Sequence, residues 1–139
     1  MKARQDIAVF LLRIALATGF LSATASRLGL WRNRSSGWIN FINYTAETNS
    51  FLPRSLAPFI ATASTIAELS LGILLLVGYQ IHKAALFASF LTLLFALAMS
   101  FSFGLKEPLD YSVFAFSAGA FLLSTFPHYK WTIEHLLNQ

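Results

Sequence analysis

Two charged side chains stand inside stretches that are otherwise apolar. Arg13 interrupts the run that begins near Ile7, and Glu68 is the sole charge between Pro58 and Tyr79. A charge at the centre of a membrane helix costs roughly 2.5–3.5 kcal/mol, so such residues turn inward and find a partner, or line a polar path. Counted along the helix rise, Arg13 stands about 9 Å and Glu68 about 16 Å in from the same membrane side. An arginine side chain bridges much of that difference. The expectation is therefore a buried Arg13–Glu68 ion pair between antiparallel neighbouring helices. In the competing reading Arg13 reaches back to the surface and Glu68 is protonated or bonded to backbone. An ion pair of this kind can serve helix register alone.

A second group gathers at the opposite membrane side. Arg27 ends the first apolar run, Lys106 and Asp110 are four residues apart at the start of the last, and Trp31 and Tyr111 are close to them in sequence. Arg13, Phe20, Thr24 and Arg27 recur at near-helical spacing, which puts both arginines on one face of the first helix. If that face looks inward, a polar column can run from Asp110 towards Glu68. The spacing predicts that Arg27 pairs with Asp110 at the mouth of this column, with Trp31 and Tyr111 beside them, and that the group orients a polar headgroup. The plainer alternative is an interfacial belt in which Arg and Lys meet lipid phosphates and Trp and Tyr lie at headgroup level. For Arg32, Arg34 and Arg54 the belt is preferred. Asp110 also has a purely structural reason to exist, because a carboxylate is favoured at a helix start.

Other chemistries are poorly supplied. The chain has no cysteine, which excludes disulfides, thiolate catalysis and Cys-ligated zinc or iron–sulfur centres. His82 falls at a turn, and His128 and His135 lie beyond the last apolar run, so haem ligation inside the membrane is not expected. No metal site, phosphate-binding glycine loop or nucleophile motif is recognisable. The net charge of +4 does not argue for nucleic acid, because the basic residues flank apolar runs instead of forming one polar face. Anionic headgroups are the better partner.

The elements that must position these residues are helices in lipid. Charged residues make up 12% of the 139, about half the share of a soluble domain. Four apolar segments, at about 7–30, 58–79, 84–103 and 109–126, are each near the length of a membrane span, and no strand-like alternation suggests a barrel. The sequence therefore predicts an all-α integral membrane four-helix bundle, a single transmembrane domain over 1–139. Within the long connection after the first span, Trp38, Phe41, Ile42 and Thr45 fall at helical spacing with Asn40 and Asn43 turned away. This predicts a short interfacial helix at about 36–48. Four crossings put both termini on one side, here side A, and the long connection on side B. Lys2, Arg4, Lys83 and Lys130 on side A against Arg27, Arg32, Arg34, Arg54 and Lys106 on side B give no charge bias. The basic N-terminal tail favours a cytoplasmic side A. Lys2 and Arg4 before an apolar run imitate a secretory leader, but Arg13 breaks that run and a retained first helix is preferred. Small residues at Ala15, Gly19 and Ala23, at Ser64 and Gly72 around Glu68, and at Ala115 and Gly119 suit close helix packing.

Leu12-Arg13-Ile14-Ala15-Leu16, Ser26-Arg27-Leu28-Gly29-Leu30-Trp31, Ala67-Glu68-Leu69 with Gly72, and Lys106-Glu107-Pro108-Leu109-Asp110-Tyr111-Ser112 occur in this order along the chain. Their order and spacing, from about residue 7 to 126, resemble the DoxX family. The resemblance implies a four-helix protein of the bacterial inner membrane, linked with quinone-dependent respiratory, sulfur-oxidising and redox-stress systems. Some relatives of similar fold are thiol-active enzymes, from which this chain departs in lacking cysteine. A distant eukaryotic relative is a cargo receptor, so fold does not fix activity. Two functions stand side by side. One is a component of a quinone-linked membrane redox system, with quinone as the candidate cofactor, nothing covalently bound, and an electron centre in a partner redox subunit. The other is a non-catalytic protein that binds or scaffolds a lipid or amphiphile, alone or as a homo-oligomer. Whether the chain is an enzyme stays open between them.

Overall fold

The apolar runs fold as helices whose backbone groups are satisfied within each segment, as a lipid environment requires. The computed structural model describes residues 3–137 and comprises α1 (Ala3–Arg27), α2 (Trp38–Thr48), α3 (Ala57–Val77), α4 (Ile81–Phe103), α5 (Lys106–Asp110), α6 (Val113–Ser124) and α7 (Ile133–Leu137). Lys2 lies outside the described residues, as does the side chain of His135. No strand occurs among those described. α1, α3 and α4 are each long and apolar enough to cross a membrane. Phe59, Phe87, Phe90 and Phe101 are largely exposed on their outer faces, as expected of side chains that meet lipid. The protein is an all-α integral membrane bundle.

The last apolar run behaves differently from the other three. Expected as one span over about 109–126, it is broken. α5 is a single short turn around Pro108, a residue tolerated only near a helix start. Ser112 then adopts φ 57°, and α6 restarts at Val113 for 12 residues, about 18 Å. The carbonyl of Ser112 accepts from the Phe116 N–H at 2.9 Å and so begins the new helix.

α1 packs against α3 and α6, and α4 packs against the same two, so the four helices close into a ring. Leu16, Phe20, Leu75, Ile81 and Leu123 fill the centre, and Ala17, Ala85, Ala88 and Ala120 let the backbones approach. α2 lies across α3 and α4 on side B. It is fastened by the Ser102 hydroxyl, which donates to the Thr48 carbonyl at 2.5 Å, and by the Ser50–Ser102 hydroxyl contact at 2.8 Å.

The relative height of α1 and α3 decides which charges can meet. A methyl group added at Gly72 would stand 3.0 Å from Leu21 and 3.2 Å from Phe20. Residue 72 is therefore level with residues 20–21 of the antiparallel neighbour. One turn towards side B, Glu68 comes level with about residue 24, within reach of Arg27. By the same count Arg13 is level with about residue 79, beyond the end of α3.

Candidate site at the side-B mouth of the bundle

Arg27 is the last residue of α1 and Glu68 lies in mid-α3; both are buried, at 9% and 5% exposure. The Arg27 guanidinium and the Glu68 carboxylate form an ion pair through Nη1 and Oε2. The same nitrogen donates to the Thr65 hydroxyl at 3.2 Å, one turn away on α3. From the other side, Phe41 of α2 sets its ring centroid 3.8 Å from the guanidinium carbon, a cation–π contact that gains strength where water is excluded. Three elements thus hold one arginine: α1 carries it, α3 neutralises it and α2 covers it.

A cavity of about 120 Å³ opens beside this group. Arg27, Tyr44, Thr45, Ser64, Phe95 and Met99 contribute to its walls. Both hydrogen bonds of Arg27, to Glu68 and to Thr65, use Nη1, so the guanidinium keeps further N–H donors. Burial pushes the Tyr44 phenol above its ordinary value; like any phenol it is a neutral donor at physiological pH. The Tyr44 ring stacks on Phe103 with centroids 5.8 Å apart. Because Glu68 already balances Arg27, the cavity presents donors without net charge. It suits the neutral, acceptor-bearing head of an amphiphile, and its volume is close to that of cavities that take a single six-membered ring. No group of metal-ligating side chains occurs among the described residues.

The expected pairings are rearranged. Glu68 pairs with Arg27 and not with Arg13, because the α1–α3 register puts Arg13 some 21 Å further along the helix from Arg27. Arg13 is buried at 2% exposure. It donates to two backbone carbonyls of the C-terminal segment, Lys130 O at 3.2 Å and Trp131 O at 2.8 Å. Arg27 does not meet Asp110. That carboxylate is taken by Lys106 at 2.5 Å in an exposed i,i+4 pair, since the break at Ser112 leaves α5 outside the ring. Tyr111 is exposed, and Trp31, also exposed, donates its indole N–H to the Ser22 carbonyl at 3.1 Å. Of the seven candidates, Arg27 and Glu68 come together; Lys106, Asp110, Tyr111 and Trp31 stay outside the cavity. Nor does a polar column run from Asp110 towards Glu68, because Asp110 is exposed and held by Lys106 outside the ring.

Sequence reasoning did not single out Thr65, Tyr44, Phe95 or Met99 for the site, and it read Ser64 as a packing residue. A usable signal existed for some: Phe41, Thr45 and Thr48 recur at i, i+4 and i+7 on α2, and Thr45 and Thr48 are its buried residues. Thr65 stands three residues before Glu68, on the same helix face.

Among known protein families, the DoxX family model matches residues 8–104. No curated protein and no solved structure matches the chain.

Proposed function

The chain belongs to the DoxX family, and we propose on that premise that it is a component of a quinone-linked membrane redox system, contributing a headgroup pocket and not an electron carrier. The observation that carries this reading is Arg27, compensated by Glu68, at the wall of a one-ring cavity. A quinone head is a neutral ring with carbonyl acceptors. The residues present fit it: Arg27 and Tyr44 can donate to its oxygens, and Phe41 and Phe95 offer apolar walls to its ring. The isoprenoid tail would leave towards lipid. When bound, the quinone supplies two-electron redox chemistry. The chain itself has no cysteine, and in this reading the electrons come from a partner redox subunit. The same reading puts the protein in the bacterial inner membrane with side A towards the cytoplasm.

A photoreactive short-tailed benzoquinone tests this on purified protein. Labelling is expected on α2 and on residues 60–68 of α3, to be competed by unlabelled benzoquinone and reduced by Phe41→Ala. Labelling confined to the outer faces of α4 and α6 would reject the pocket. A second reading, a non-catalytic holder of a lipid or amphiphile, draws on the fact that Arg27 and Glu68 satisfy each other without any ligand. It is favoured if native mass spectrometry shows retained phospholipid that benzoquinone does not displace.

A further inference from the structure

The other buried arginine is held in an unusual way. Arg13 is 2% exposed, yet the ion pairs among the described residues are Arg27–Glu68, Lys106–Asp110 and Lys130–Asp6. Asp6, two turns earlier on α1, is engaged by Lys130 at 3.2 Å. Arg13 therefore keeps its full charge against neutral partners, the carbonyls of Lys130 and Trp131 and the face of Phe10 at 5.1 Å. Its Nε is buried with no hydrogen-bond partner.

We propose that Arg13 anchors a phosphate-oxyanion site on side A, and that residues 126–137 form a displaceable strap that occupies it with their own carbonyls. A phosphate adds to these charge-assisted bonds a counter-charge and a bidentate geometry that a single carbonyl lacks. The guanidinium edge made by Nε and one Nη matches two phosphate oxygens. A phosphate that replaced the Trp131 carbonyl at Nη2 would also satisfy the orphaned Nε and balance the buried charge. The height is suitable, because Arg13 lies level with the α3–α4 turn, where a bilayer carries its headgroup phosphates.

The strap is short and is joined to the bundle at separate points. Beyond Arg13 these include His82 Nε2 to the Phe126 carbonyl at 2.6 Å, the Glu134 carboxylate accepting from the Gln80 N–H at 3.2 Å, the Lys130–Asp6 pair at 3.2 Å and the Tyr129 hydroxyl donating to the Leu123 carbonyl at 2.6 Å. Phe126 and Tyr129 pack against the core. α7 at its end has five residues, and Ile133, Leu136 and Leu137 are exposed. A groove of about 1130 Å³ runs along the strap, with His82, His128, Lys130 and Glu134 among its walls. This site is separate from the side-B cavity and does not depend on what that cavity binds.

Hydrogen exchange of the full chain in neutral detergent tests the proposal, read at amides 126–137. The additions are inorganic phosphate, phosphatidylglycerol in mixed micelles, and diacylglycerol as an uncharged lipid. Anion is expected to raise strap exchange about tenfold, with diacylglycerol inert. A response to phosphate alone assigns a soluble anion, and a response confined to phosphatidylglycerol assigns a lipid headgroup. Arg13→Lys, which keeps the charge and loses the fork, should need more anion for half the response. Asp6→Asn, which frees Lys130 and leaves Arg13 in place, should need less. Strap exchange unmoved by both anions, an equal response to diacylglycerol, or unshifted midpoints in both variants would overturn the assignment.

Discussion

One helix carries two buried arginines, and the two ends of the bundle treat them differently. At side B, Arg27 meets a carboxylate, a hydroxyl and an aromatic face. At side A, Arg13 meets two carbonyls of a short C-terminal segment and, among the described residues, no carboxylate. The first arrangement is complete in itself, because opposite charges leave water together and each supplies what the other lost. The second is conditional, since a charge held by dipoles remains available to any better acceptor. Burial of an arginine therefore does not indicate its role; its partners do. The compensated end frames a small neutral cavity, and the uncompensated end is closed only by a strap.

Substitutions should separate the two ends, with the largest effect at side B. Glu68→Leu leaves Arg27 buried without its counter-charge and should cost about 3 kcal/mol, read as thermal unfolding in detergent. Arg13→Leu removes two charge-assisted bonds but also a costly buried charge, so the net loss should be smaller, about 1–2 kcal/mol. It should appear first as faster proteolysis within residues 126–137. Gly72→Ala adds a methyl 3.0 Å from Leu21 and should cost about 1 kcal/mol by overpacking. Because Gly72 sets the α1–α3 height, this change should weaken the Arg27–Glu68 coupling as well.

Smaller effects belong to the strap and the exposed α5 turn. The Tyr129 hydroxyl donates to the Leu123 carbonyl at 2.6 Å, so Tyr129→Phe should cost about 1 kcal/mol. Burial pushes that phenol from its ordinary value of 10.0 up to about 12. The folded state therefore holds the proton more tightly than the unfolded state. This contribution is intact below about pH 10 and is lost as pH rises towards 12. The difference in melting temperature between the wild type and Tyr129→Phe should narrow across that window. Asp110→Asn breaks only an exposed helical pair and should change stability by less than about 0.5 kcal/mol. A larger loss would mean that α5 belongs to the site after all.

The inward face of α1 could be read directly, since Asp6, Arg13, Phe20 and Arg27 recur at seven-residue steps and all four are buried. The inner face of α2 was partly legible: of Trp38, Phe41, Ile42 and Thr45, Thr45 is buried and Phe41 covers Arg27, whereas buried Thr48 was not picked out. Helix height was not legible. An apolar run records how much of a helix meets lipid but carries no mark of its level against a neighbour. Counting Arg13 and Glu68 from a common surface therefore paired the wrong arginine with the carboxylate. Gly72 held the missing information, yet small residues are too common in membrane helices for one of them to announce a register. The hold on Arg13 was invisible for a different reason: its acceptors are backbone carbonyls, which every residue possesses. The break before α6 was half visible, in Pro108 but not in the positive φ of Ser112.

The central claim is that Glu68 belongs to Arg27 and that Arg13 is independent of both. Two double-mutant cycles in detergent test it, one with Arg27→Leu and Glu68→Leu, the other with Arg13→Leu and Glu68→Leu. The account predicts a coupling of about 1–2 kcal/mol in the first cycle and additivity within about 0.5 kcal/mol in the second. Additivity between Arg27 and Glu68, with coupling between Arg13 and Glu68, would contradict it.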